Sequence, residues 1–219
     1  MKFIYTAFLG ISFGLLVGCG NPANNVPKAA VSSDTNVEET ASAPASSDRV
    51  FALGPKDSKI EFIGSKVTGS HKGGFTNFTG EFRVAEGKVV GAGNRIVIDM
   101  NSTWADNDRL TGHLKNPDFF NVPQFPKAEF VSTAIEKKAT NYMVSGNLTL
   151  HGVTKQISFP AQIQVSDQAV EVNAQFVLNR FDFEVKYPGK ANDLIRKEVV
   201  IRLNIKATPG QANFTTAKL

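Results

Sequence analysis

Beyond Phe51 the chain sets apolar side chains at every second position, the pattern of strands with one dry and one wet face. In the last such run Val199, Ile201, Leu203, Ile205 and Ala207 share one face, with Glu198, Arg202, Asn204 and Lys206 on the other. Val170, Val172, Ala174, Phe176 and Leu178 repeat the pattern, as do Val153, Ile157, Phe159, Ala161, Ile163 and Val165, and before them Tyr142, Val144, Leu148 and Leu150. Upstream, Lys59 to Ser65, Phe75 to Ala85, Lys88 to Met100 and Lys127 to Glu136 read as strands, for a total of about eight. Reversals are expected at Glu86-Gly87, Lys138 to Asn141 and Ser166-Asp167. One stretch breaks the alternation. Asp106-Asn107-Asp108 offers helix N-caps, Leu110 and Leu114 stand one turn apart, and Asn116-Pro117 ends the run, which predicts a short helix. Phe119, Phe120, Phe125 and the prolines Pro117, Pro123 and Pro126 follow as a stiff apolar connection.

Strands with one apolar face must close into a barrel or split into a sandwich. Short sequential hairpins without a long crossover favour an all-β, eight-stranded antiparallel up-and-down barrel with the short helix at its mouth. An interior of that size is either filled by side chains or holds one small ligand, and the helix is either a plug or a lid. A membrane-spanning barrel shows the same alternation but needs girdles of Trp and Tyr. This chain has one Trp and three Tyr.

The first 50 residues are built differently. Met1-Lys2 and the apolar run Phe3 to Val17 make a signal segment too short to span a bilayer, so residues 1–18 are expected to be a lipoprotein signal peptide. Leu16-Val17-Gly18-Cys19 resembles the bacterial lipobox, which makes Cys19, the single cysteine, the expected lipid attachment site. By resemblance to the sorting rules of such lipoproteins, Gly20 rather than Asp implies the outer membrane of a Gram-negative cell, with the protein expected to face the periplasm. From Asn21 to about Asp48 the chain is Pro, Ala, Asn, Ser, Thr and Glu, and residues 19–48 read as a disordered tether spanning on the order of 30 Å. The barrel domain is expected over 49–210, with a tail at 211–219.

Net charge is +4, and no run of Lys and Arg is interleaved with aromatics, which argues against nucleic acid as a partner. The 17 Phe residues are an apolar surplus that needs a core or a guest to cover it. Phe62, Phe78, Phe82, Ile98, Met100, Phe130, Leu148, Phe159, Ile163, Phe176 and Leu203 are expected to point inward. Trp104, Leu110, His113, Leu114, Phe119, Phe120, Phe181 and Phe183 are expected to crowd one mouth. Arg109, His113, Lys115 and Arg180 lie near that mouth as solvated charges or as partners for an anionic head group. His71, placed in a Gly-rich loop, His113 on the helix and His151 at a strand end lack metal-ligand spacing, so no metal is expected. His113 and His151 are expected to hydrogen-bond backbone in their turns. No nucleophile elbow or paired carboxylates can be identified, and no cofactor or enzymatic activity is expected.

Several motifs carry a family resemblance. They are Val67 to Phe75, Asp99-Met100, Gly112 to Val122 with Phe125-Pro126, Gly146 to Lys155, Asn179-Arg180-Phe181-Asp182-Phe183 and the strand Glu198 to Ala207. Together they resemble the YceI-like family of periplasmic proteins over about Ser58 to Ala207. The resemblance implies a lipocalin-like barrel whose lumen binds a polyisoprenoid or a comparable amphiphile. The lipobox, and a short turn at Ser166-Asp167, depart from many members. The leading expectation is binding of a polyisoprenoid, quinone or acyl lipid in the lumen for periplasmic storage or transport. The alternatives are a structural or stress-response envelope protein with a solid barrel, and an uncharacterised enzyme acting on such a lipid.

Overall fold

The structure is a computed structural model that describes residues 20–33, 48–212 and 214. Along the chain it forms β1 (Ala30–Ser32), β2 (Arg49–Leu53), β3 (Lys59–Ser65), β4 (Ser70–Phe75), β5 (Phe78–Ala85), β6 (Lys88–Val89), β7 (Arg95–Asp99) and β8 (Thr103–Ala105). Then come α1 (Asp108–Leu114), β9 (Lys127–Lys138), β10 (Asn141–Leu150), β11 (Val153–Val165), β12 (Val170–Asn179), the hairpin of β13 (Gly189–Lys190) and β14 (Asp193–Leu194), and β15 (Glu198–Pro209).

Pairing resolves these into eight consecutive staves. β3 pairs β4 and β2 pairs β5, so β2/β3 and β4/β5 are two long kinked strands side by side. β7 pairs β5 and β8 pairs β4, which makes β7/β8 the third stave. β9, β10, β11 and β12 follow in order, and β12 pairs β15. β15 then closes the ring, setting Val200–Asn204 against β3 and Thr208 and Pro209 against β2. This is an eight-stranded antiparallel up-and-down barrel in which consecutive staves are neighbours and the last, β15, closes on the first.

Local chemistry sets the joints. Glu86 and Gly87 (φ 51° and 72°), and likewise His151 and Gly152 (φ 52° and 75°), are left-handed pairs matched to two-residue hairpin turns. The Asn107 side chain accepts the Leu110 N–H at 3.0 Å and caps α1. Gly146 sits at a bulge between β9 and β10 where a Cβ would stand 2.3 Å from Phe130 and 2.6 Å from the Val131 carbonyl. At the end away from α1, buried Arg83, Asn94 and Ser132 form a polar floor. Asn94 Nδ2 donates to the Val90 carbonyl (2.6 Å) and lies 2.9 Å from Ser132 Oγ, while Arg83 Nη2 donates to the Ala92 carbonyl at 2.7 Å.

Four sequence expectations change. The strand from Phe75 breaks at Thr76-Asn77, and Gly-rich Ser70–Phe75 is itself a strand, so His71 lies in β4 and not in a loop. Residues 90–94 interrupt the strand from Lys88, and a 3-10 turn at Met100–Ser102 ends it, resetting the inward phase. Arg49–Leu53 adds a strand the alternation did not single out. Most consequentially, part of the expected tether is structured. Ala30, Val31 and Ser32 pair with Ser158, Ile157 and Gln156 of β11, while Ala23 and Val26 pack on Val177, Val200 and Ile63. Few apolar residues suffice here because the barrel supplies the rest of the buried surface and the open strand edges, and each main-chain bond adds only about 0.5–1.5 kcal/mol net.

Gly146→Val should cost about 1–3 kcal/mol through overpacking against Phe130 and the β9 backbone. Urea unfolding should show this as a lowered midpoint with an unchanged slope.

Candidate functional site

The inward faces of the staves do not meet across the axis. They enclose a cavity of about 940 Å³ that runs from the polar floor to the α1 end. Its wall is apolar, with Phe82, Ile98, Phe130, Phe159, Phe176 and Leu203 among its lining. Phe159 and Phe176, on neighbouring staves, stack at 4.2 Å with 15° between planes, so these rings associate along the wall. Asn94 and Ser132 reach the cavity at the floor, and their polar atoms bond each other and the adjoining backbone.

At the other end α1 and the segment 185–195 frame a mouth. Leu114, Phe119, Phe120, Val185 and Tyr187 line it, and His113 lies edge-on to Tyr187 at 4.6 Å and to Phe119 at 6.0 Å. Exposed Asp108, Arg109 and Lys190 also border the cavity, so this end reaches solvent. Two polar clamps hold the frame. Asp106, just before α1, accepts the Lys72 N–H and meets His71 Nδ1, both at 2.8 Å, and its own N–H donates to the Lys72 carbonyl. Burial pushes the Asp106 carboxyl up, but the Lys72 and His71 hydrogen bonds and the His71 charge outweigh it and hold it below its ordinary value. Across the mouth, Asp193 pairs with Lys66 and accepts the Thr68 N–H and hydroxyl, joining the β13–β14 hairpin to the β3–β4 turn.

A family model for the YceI-like domain matches residues 51–207, which is the barrel from β2 to β15. The chain belongs to the YceI-like family. A UPF0312 protein of Yersinia enterocolitica is 37% identical over 91 residues, 42% of this chain and 47% of that protein, so the match spans about half the length of that relative. A UPF0312 protein of Pseudomonas putida (strain W619) is 29% identical over 66% of this chain and 78% of its own length. Among solved structures, Burkholderia cenocepacia BcnA superimposes with a TM-score of 0.64 at 21% identity, over 71% of this chain and 99% of BcnA. A polyisoprenoid binding domain from Saccharophagus degradans gives 0.60 at 18% identity, over 73% of this chain and 98% of that one. These likenesses establish a shared fold.

Within this YceI-like barrel the expected site residues separate cleanly. Phe62, Phe82, Ile98, Leu110, His113, Leu114, Phe119, Phe120, Phe130, Leu148, Phe159, Ile163, Phe176 and Leu203 all line the cavity. Five do not. Phe78 is enclosed in the surrounding core, and Met100, turned by the 3-10 step, packs on Val122 and Ala128. Trp104 is half-buried on β8. Phe181 is exposed on the outside under the Arg180 guanidinium, and Phe183 is fully buried within the main core. Cys19 lies outside the described residues.

The charged and histidine expectations also change. Lys115 does not border the cavity. Arg180 is no rim charge, since only 5% of it is exposed and its guanidinium donates to the carbonyls of Val185, Tyr187, Ile195 and Arg196 at 2.5–3.2 Å. Burial lowers its pKa. Neither His113 nor His151 bonds backbone. His113 Nδ1 stands 3.9 Å from Asp118, and His151 packs edge-on to Phe125 at 4.7 Å with both ring nitrogens buried and unpartnered. Among the described residues no group of three or more His, Cys, Asp or Glu is placed to hold a metal. Val185, Tyr187 and Ile195 were not expected in the site. Their segment has no period, and Arg180, whose motif the sequence does display, is what holds it over the lumen.

Arg180→Met should release the 185–196 segment, because four carbonyls lose their donor and each that stays buried costs about 1–3 kcal/mol. Hydrogen exchange should rise across 185–196 while β9 and β10 stay protected.

Proposed function

We propose that the protein binds one long-chain apolar amphiphile, of the polyisoprenoid, quinone or acyl class, in the barrel lumen and stores or carries it in the periplasm. The observation that carries this reading is the cavity of about 940 Å³, apolar along its length and open at the α1 end. It falls within the usual range of ligand sites, and an empty hydrocarbon-lined space of that size forfeits contacts that an alkyl or prenyl chain restores. A barrel filled by its own side chains does not describe this interior. The polyisoprenoid-binding domain that shares the fold supports the same class of guest.

The hydrocarbon tail lies in the lumen, and the head group stays at the mouth, where Arg109 and Lys190 attract a phosphate or carboxylate. Exposed Val67 and Leu194 stand on the two loop tips joined by Thr68 and Asp193, giving the mouth an apolar edge toward a bilayer surface. Acylation at Cys19 keeps the protein at the outer membrane, facing the periplasm. The role needs no chemical step, only transfer of the chain into the lumen, which relative to water gains about 0.8 kcal/mol per buried CH₂.

Native mass spectrometry of the protein purified without detergent should find one copurified lipid per chain. Ile201→Trp, which projects an indole into the lumen, should abolish that adduct and weaken uptake of a fluorescent fatty acid at least tenfold without lowering Tm. Recovery of lipid-free protein together with unchanged uptake by Ile201→Trp would overturn the reading.

A further inference from the structure

One ladder of the barrel is incomplete. β11 and β12 share four residue pairs, Gln162–Val165 against Val170–Asn173, whereas β12 and β15 share ten. From Gln162 toward the mouth the two staves part. Pro160 has no N–H to offer a neighbour. Continued in register, Ser158 would face Val177. Instead Ser158 pairs Ala30, while Val177 donates to the Pro27 carbonyl at 2.8 Å and accepts the Ala29 N–H at 2.9 Å.

Residues 27–32 are therefore a strap inserted into the wall, bonded to β12 through its first half and to β11 through its second. It alternates like any stave. Ala29 and Val31 pack on the main apolar core, and Lys28 and Ala30 are exposed. Without the strap the wall has a window two strand spacings wide, roughly 10 Å. The Gln162–Asn173 pair bounds it below, and the turn Arg180–Phe183 bounds it toward the mouth. Directly behind it lie the lumen residues Ile157, Phe159 and Phe176. Leu203 lines both the lumen and a recess of about 470 Å³ on the other side, beside Pro27 and Pro160. The strap also stands apart from the YceI-like domain, whose match begins at residue 51.

We propose that this window is a lateral entry site for the hydrocarbon chain of an amphiphile, occupied in the present state by residues 27–32. A long chain then enters and leaves sideways through the wall instead of being threaded end-first past α1. The proposal rests on the lumen being the binding site, and adds to it the route of access and a stopper for that route.

The test uses the full chain with Cys19→Ser, so that Ala30→Cys and Ser158→Cys hold the only two thiols and can lock the strap to β11. Uptake and release of cis-parinaric acid are followed by fluorescence. The oxidised pair should bind with unchanged Kd but exchange at least tenfold more slowly, and reductant should restore the rate. Deletion of residues 20–33, a variant that needs no crosslink, should accelerate release at least tenfold. Exchange rates that ignore both lock and deletion, with binding intact, would overturn the window and leave lumen binding standing. Absence of saturable binding in every variant would overturn both.

Discussion

An antiparallel sheet satisfies its outer backbone groups only by meeting itself, and this chain meets itself when β15 returns to β2 and β3. The circumference is then fixed by hydrogen bonding at eight staves and not by how much side chain is available to fill the middle. Phe130, Phe159 and Phe176 use their area on one another along the wall, which leaves the axis open. The lumen is thus a consequence of closure, and the large apolar residues make it dry without making it solid.

Paired polar side chains close the two ends of the lumen. The floor is sealed by Asn94, Ser132 and Arg83 bonding among themselves and to backbone, and the mouth is braced by Asp106 on Lys72 and His71 and by Asp193 on Lys66 and Thr68. Between them the wall is mainly hydrocarbon, and the buried Arg180 guanidinium beside it is turned onto four carbonyls. A guest that is hydrocarbon for most of its length and polar at one end matches that distribution.

The alternating strands were legible because a half-buried pleat demands them, and β10, β11, β12 and β15 follow the pattern almost to the residue. The short helix was legible from Asn107 and the Leu110–Leu114 spacing. β4 was hidden because Gly73 and Gly74 carry no side chain to show a face, although the close approach of Phe62 and the Ile60 and Trp104 backbone is what requires glycine there. The segment around Tyr187 was hidden because a loop held by another residue's guanidinium has no period of its own. The docked N-terminal segment left one trace that composition concealed. Val177 and Val200 sit on the wet phase of their strands, and both are nearly inaccessible to solvent because Ala23 and Val26 cover them.

That docking alters what an acyl group on Cys19 would do mechanically. A leash of thirty residues lets a body swing freely about its attachment, but residues 21–32 lie against the protein, so only Gly20 and the cysteine itself would separate such an acyl group from the outer face of β12 and β15. At no more than about 3.3–3.6 Å per residue, such an attachment would be a pivot at the barrel's flank, and would hold one side of the body toward the bilayer and the opposite side away from it.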